Sequence, residues 1–359
     1  MNKKSIILPD FFITLPIILL LSLSILVIYS SDPKLAVQQA ILALVGLGIY
    51  WALSLLDLEV GRQIYHYLYV GVLALLIIVF LLGVETRGVL RWIPLGPFQF
   101  QPSEFAKPVL ILFLAGFWST HSPIFKNILK SFLIILPMVV LIFKQPDLGT
   151  ALTLIVVWSI MLIGANISLV KLAVMSGAAL LLTPLTWFFL RDYQKERILS
   201  FLSPSQDPLG MGYNVIQSTI AVGSGQFWGR GLGRGTQSRL RFLPEFRTDF
   251  VFASIAEELG FLASALVLIL YGIIFGRAFQ ILGKIRSKFD SLVLFGVLGI
   301  LFFQVTVNIG MNIGILPITG ITLPLLSYGG SSMLSTLISL SFVASISRFG
   351  QIDTLKQSE

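Results

Sequence analysis

The chain is 359 residues long, 56% hydrophobic and only 12% charged, with a mean hydropathy of +0.91. Soluble domains carry about 25% charged residues, so these proportions exclude an ordinary soluble globule, a disordered chain and a coiled coil, and they point to an all-α polytopic membrane protein. Cysteine is absent, which excludes a disulfide framework and a thiolate metal site, and the net charge of +8 reads as orientation and contact with anionic headgroups, not as nucleic-acid binding.

A helix needs roughly 20 apolar residues to cross about 30 Å of hydrocarbon. About ten stretches approach that length, at residues 11–30, 36–56, 65–83, 105–119, 131–144, 148–165, 168–190, 249–276, 288–311 and 329–347. Lys3 and Lys4 precede the first, as they would in a signal peptide, but no small-residue cleavage site follows it, so it is read as a retained span. An even number of spans places both termini on one side. The segments sharing that side are richer in lysine and arginine, with Lys3, Lys4, Lys126, Lys130, Arg277 and Lys284 among them, so the N- and C-termini are expected in the cytoplasm. Residues 191–248 then form a long extracytoplasmic loop within a single integral membrane domain, residues 1–359. No internal repeat stands out, which weakens a transporter reading.

Polar residues gather in four places on the expected outer side, and ionisable groups flush with a membrane are functional candidates by default. The first, RGVLRWIPLGPFQFQPSEFAKP at 87–108, alternates aromatic, proline, glycine and cation, as a segment at headgroup depth would, with Arg87 and Arg91 at phosphates. Pro102 and Ser103 read as a helix start, which puts Glu104 and Lys107 on one face; a belt helix with a surface ion pair explains them equally well. The second, QPDLGT at 145–150, interrupts an apolar run, and Asp147 suits the N-cap of the helix that follows.

The third place is the long loop. Arg191, Lys195 and Arg197 open it at helical spacing, Pro204 and Pro208 break the pattern, and a glycine-rich run extends from Gly223 to Gly235. The run lacks the GK[ST] ending of a nucleotide loop. Arg230, Arg234, Arg239 and Arg241 make it a candidate seat for an anionic group, since arginine forks fit phosphate oxygens; attraction to headgroups is the competing explanation.

In the fourth, LPEFRTDFVFASIAEELGF at 243–261, Asp249 is the last carboxylate before a long apolar run. Thr248 reads as an N-cap with Asp249 the first helical residue, so capping and catalysis both remain open for Asp249. Glu257 and Glu258 fall about 80° and 180° around the helix from it, so both cannot face one cavity with it, and pairing inside the bundle is expected. Beyond, NIGMNIGILPITGITLPLLSYGGSS at 308–332 breaks a span with Pro317, Gly320 and Pro324, a backbone tolerated at membrane depth only under cover of protein or water. These features describe an outward cavity with basic walls, suited to an amphiphile with an anionic head.

The strings RWIPLGPFQFQPSEFAKP, QPDLGT, DPLGMGYNVIQSTIAVGSG, GLGRGTQ, LPEFRTDFVFASIAEELG and NIGMNIGILPITGITLPLLSYGGSS together resemble the signature blocks of the SEDS family (shape, elongation, division and sporulation), and its cell-elongation branch more than its division branch. The resemblance implies a ten-span peptidoglycan glycosyltransferase of the bacterial cytoplasmic membrane. Such an enzyme polymerises lipid II on the outer face with release of polyprenyl pyrophosphate, beside a class B penicillin-binding protein as transpeptidase and the elongation machinery. It carries the family's essential acidic residue onto Asp249, and the family's Glu and Lys onto Glu104 and Lys107. Arg247 departs from the histidine that usually precedes the family's Thr-Asp pair. In this reading Asp249 is the general base, Lys107, Arg197, Arg239 and Arg241 are candidates for the diphosphate, Arg91 is a further substrate contact, and Glu104 orients Lys107. The residues single out no particular cofactor; a divalent cation shared by Asp249 and the diphosphate is chemically open, though no cluster of ligands demands one. The alternatives from other classes are a lipid II transporter and a non-catalytic scaffold for the transpeptidase.

Overall fold

The computed structural model describes residues 9–82, 84–86, 89–95, 98–190, 192–203, 211–239 and 242–356. In chain order these form α1 (Phe11–Ser31), α2 (Pro33–Ser54), α3 (Leu58–Leu82), β1 (Val84–Thr86), β2 (Val89–Leu95), β3 (Phe98–Phe100), α4 (Pro102–Thr120), α5 (Phe125–Lys144), α6 (Leu148–Gly164) and α7 (Leu169–Thr186). There follow α8 (Asp192–Leu202), α9 (Met211–Ser224), α10 (Thr236–Arg239), α11 (Val251–Leu282), α12 (Lys288–Asn312) and α13 (Gly330–Lys356). Each stretch read as a span from the sequence is carried by a helix. Among the described residues, seven helices (α1, α2, α3, α5, α11, α12 and α13) are long and apolar enough to cross a membrane, and α6 and the first part of α7 are shorter apolar helices. The chain is a polytopic, all-α membrane protein.

Local chemistry sets the helix starts. Asp10 accepts from the Phe12 N–H to begin α1, and Asp32 accepts from Lys34 and Leu35 to begin α2, with Pro33 in the first turn where its missing N–H costs nothing. Ser168 caps α7 in the same way.

Residues before Pro102 depart from the belt-helix alternative. They are extended: β1, β2 and β3 make an antiparallel sheet in that order, with Val84 opposite Trp92 and Ile93 opposite Phe100. Val89, Trp92, Ile93 and Phe100 favour a pleated surface, and Pro94 cannot donate an intrahelical bond.

Two compact units divide the chain. The first comprises Met1–Ala165, Ala265–Val305 and Thr322–Glu359. In it α4 packs against α3, α6 and α13, and α2 packs against α13. Leu110, Ile111, Leu114 and Trp118 of α4 are wholly enclosed. Protein rather than lipid surrounds this helix, so it can carry charge near its start. The second unit comprises Asn166–Ser264 and Thr306–Ile321. Its core joins Val215, Ala221, Leu243, Phe250, Ala253, Met311 and Ile318.

Candidate functional site

In the first unit Glu104 and Lys107 form one buried ion pair. Lys107 Nζ lies 2.6 Å from Glu104 Oε2, with the two side chains 4% and 8% exposed, so the surface-pair alternative is overturned. Burial of both charges is tolerated because they neutralise each other, because Ser335 Oγ adds a donor to Glu104 Oε2 at 3.4 Å, and because Glu104 sits in the first turn of α4, where the helix dipole favours an anion. Asp147 caps α6 through Thr150 N at 3.1 Å and accepts from Gln101 Nε2 at 3.1 Å. Arg91, on β2, has turned its guanidinium to backbone: Nε donates to the Gln145 carbonyl at 2.8 Å and Nη2 to that of Pro146. It ties the sheet to the C-terminal end of α5.

In the second unit Asp249 lies in the turn before α11, which begins at Val251, so it is not the first helical residue expected from the sequence. Thr248 Oγ1 donates back to the Glu245 carbonyl at 3.2 Å. The Asp249 carbonyl accepts from Asn308 Nδ2 at 2.9 Å and from Asn312 Nδ2 at 3.0 Å. Across from the carboxylate stands Gly320, at φ +73°; a Cβ placed there would lie 3.6 Å from Asp249 Oδ2 and 3.7 Å from Arg197 Nη1. Asp249 and Arg197 thus border one point in space, an anion and a guanidinium fork separated by a residue with no side chain. Sequence reasoning selected both charges but missed Asn308 and Asn312, whose i, i+4 spacing on one face of α12 was the available signal.

Glu257 and Glu258 each find their own partners inside the protein. Glu257 is fully buried, and its carboxylate accepts from Thr236 Oγ1 (3.2 Å), Gln237 N (2.9 Å), Ser238 N (3.2 Å) and Ser238 Oγ (3.1 Å). Glu258 Oε2 accepts from Gly233 N at 3.1 Å. The glycine-rich run also enters the hydrogen bonding of α11 itself. Phe261 N and Leu262 N donate to the Gln226 and Phe227 carbonyls, while the Glu257 and Glu258 carbonyls accept from Arg230 N and Gly231 N. Gly260, at φ +74°, makes the break, and a Cβ on it would collide with Gly229 N. The run's N–H groups at 230, 231 and 233 are therefore occupied by acceptors of α11, which removes them as a phosphate cradle. Arg230 is drawn into the same structure through Thr236 Oγ1, at 3.0 Å. Arg239 ends α10, and its side chain lies outside the described residues, as do Arg241, Arg87, Arg191, Pro204 and Pro208.

Asp249 and Arg197 are thus brought together in the second unit, and Glu104 and Lys107 in the first, while Arg91 serves the sheet. Among the described residues no three His, Asp or Glu side chains gather as metal ligands.

The family model for the cell cycle proteins FtsW, RodA and SpoVE matches residues 3–352. Peptidoglycan glycosyltransferase MrdB of Escherichia coli strain K12 is 38% identical over 337 residues, covering 91% of this chain and 90% of its own. Stage V sporulation protein E of Bacillus subtilis is 34% identical, covering 96% and 98%. Among solved structures, rod shape determining protein RodA of Thermus thermophilus superposes with a TM-score of 0.70 at 30% identity, covering 95% of this chain and 97% of its own. A chain from a peptidoglycan synthase complex, described for its coordination of polymerization and crosslinking, superposes with a TM-score of 0.83 at 35% identity, covering 95% and 98%.

Proposed function

Because the chain belongs to the FtsW, RodA and SpoVE family of cell cycle proteins, we propose that it is a multi-pass membrane peptidoglycan glycosyltransferase of the RodA type, which joins lipid II units into glycan strands during cell-wall elongation. A class B penicillin-binding protein crosslinks those strands beside it. The membrane is the bacterial cytoplasmic membrane, with both termini in the cytoplasm and residues 191–248 an extracytoplasmic loop of a single membrane domain. The chemistry then takes place on the outer face.

The observation that carries the mechanism is the opposition of Asp249 and Arg197 across Gly320. The Asp249 carboxylate accepts the proton of the acceptor sugar's 4-hydroxyl as that oxygen bonds to the donor's anomeric carbon. The bond from that carbon to the diphosphate oxygen breaks, and the anomeric centre inverts. One carboxylate suffices, because a diphosphate leaves without a general acid. Base catalysis of this kind supplies about 10²- to 10⁴-fold. The Arg197 fork suits two oxygens of the departing diphosphate, placing fixed charge where negative charge develops. A divalent cation would find Asp249 as its carboxylate ligand there and would share the diphosphate charge. Glu104 and Lys107 are retained as substrate-binding candidates on the strength of their motif.

Purified protein with its transpeptidase, supplied with labelled lipid II, tests the reading by the appearance of glycan strands. Wild type is expected to make them and Asp249→Ala to make none while remaining folded. Wild-type protein that makes no strands beside a working control would end the enzyme assignment. An Asp249→Ala protein that still moves lipid II across vesicles would favour transport.

A further inference from the structure

By its own geometry α11 would bond the Ala253 N–H to the Asp249 carbonyl, four residues back. That bond is replaced by a side chain. Ala253 N donates to Asn312 Oδ1 at 3.0 Å, and Asn312 Nδ2 donates to the Asp249 carbonyl at 3.0 Å. One carboxamide stands between the two groups and satisfies both. The next bond in the ladder, Ser254 N to the Phe250 carbonyl at 3.1 Å, forms in the ordinary way, which is why the helix starts at Val251 and not sooner.

Asn308, one turn earlier on α12, adds a second grip. Its Nδ2 donates to the Asp249 carbonyl at 2.9 Å and to the Ile321 carbonyl at 2.8 Å. Ile321 follows Gly320, the residue that faces the Asp249 carboxylate, so a single amide ties together the two backbone segments on either side of that contact. Both asparagines are fully enclosed. They are braced in turn: Asn312 Nδ2 also donates to the Asn308 carbonyl at 2.8 Å, and Ser218 Oγ donates to the Asn312 carbonyl at 2.7 Å. Buried polar groups satisfied this completely hold a geometry rather than merely permit it.

We propose that Asn312 and Asn308 are positioning residues for Asp249. The Asn312 amide keeps residue 249 out of α11, and Asn308 fixes the 320–321 backbone against its carboxylate. The proposal rests on the general-base role of Asp249. Without the wedge the helix is free to extend toward its N-terminus, and each added residue turns a side chain by about 100° about the axis. The Asp249 carboxylate would then leave its station opposite Gly320 and Arg197. Displacing a reacting group by about 1 Å costs on the order of 10²-fold in rate.

The test uses the full chain with its transpeptidase partner and lipid II over a range of concentrations. Asn312→Ala and Asn308→Ala are expected to lower kcat about 10- to 100-fold, with KM for lipid II changed less than about threefold. Asn312→Asp, which keeps the acceptor for Ala253 but loses the donor for Asp249, is expected to fall between Asn312→Ala and wild type. Hydrogen exchange supplies a readout independent of turnover: the Ala253 amide should lose or change its protection in Asn312→Ala. A kcat within twofold of wild type, or a loss matched by the loss of folded protein, overturns the proposal. If Asp249→Asn polymerises at the wild-type rate, the general-base reading falls and the positioning role falls with it. If Asp249→Asn is inactive and Asn312→Ala is not impaired, only the positioning role falls.

Discussion

Helix α11 has its hydrogen-bond ladder intercepted twice, by different means. At Asp249 and Ala253 the intruder is a side-chain amide from α12; at 257–262 it is the backbone of the glycine-rich run, whose carbonyls and N–H groups take the places of helical partners. The difference separates a scaffold from the proposed site. Backbone inserted into backbone, reinforced by the buried Glu257 carboxylate with its four donors, leaves little freedom and depends on Gly260 and Gly229 for closeness. The amide inserted beside Asp249 grips only the main chain of that residue, and leaves its carboxylate directed at Gly320 and Arg197.

That comparison breaks most sharply at Asp249. Asp249→Ala is expected to reduce glycan polymerisation by at least about 10²-fold, with no fall in the thermal midpoint, as scored on purified protein. A comparable fall in stability would make the residue part of the scaffold instead. Gly260→Val should do the reverse. An L-residue forced to φ 74° and ψ −167°, a region essentially reserved for glycine, costs about 1–3 kcal/mol, and the collision with Gly229 about 1–3 more. The expected result is a lower thermal midpoint and protease cleavage within 225–238, with activity lost only in proportion to folded protein.

Glu257→Gln sharpens the scaffold side further. Both carboxylate oxygens accept, so a carboxamide must turn an NH₂ group toward donors, and each buried donor left without a partner costs about 1–3 kcal/mol. Gln is therefore expected to be no better than Ala at this position, as measured by chemical denaturation. The smallest effect is expected from Arg197→Lys, which keeps the charge and loses the planar fork. A few-fold fall in kcat, with KM for lipid II changed less and the thermal midpoint unchanged, is the outcome that places Arg197 at the departing diphosphate; no change in any kinetic constant removes it from there.

How much of this was legible beforehand varies by residue. The helices at the apolar stretches and the cap at Asp147 followed from hydropathy and from a short polar residue ahead of an apolar run, though α4, read as a span, is not among the helices apolar enough to cross a membrane. The burial of Glu104 and Lys107 did not, because an i, i+3 ion pair looks the same on a wet face as on an enclosed one, and only the packing of α3, α6 and α13 around α4 decides between them. Arg91 was legible as a cation at an interface, but not as the partner of the Gln145 and Pro146 carbonyls, which are distant in sequence. The glycine-rich run read as a pliable anion seat because glycine spacing says nothing about which acceptors will meet its N–H groups.

The sequence alone determined that this chain lives in a membrane, where its apolar helices run and where its polar residues gather. Those conclusions depend on transfer free energies and helical period, which are properties of a segment and its solvent. Tertiary structure alone decided which groups each of these carboxylates meets. Asp249, Glu257 and Glu258 are chemically alike and close in sequence, and they part company because one meets asparagines through its carbonyl while the others meet loop donors through their carboxylates. Hydrogen bonding is short-ranged and directional, so the role of a carboxylate is set by whichever groups the fold brings within about 3 Å of it.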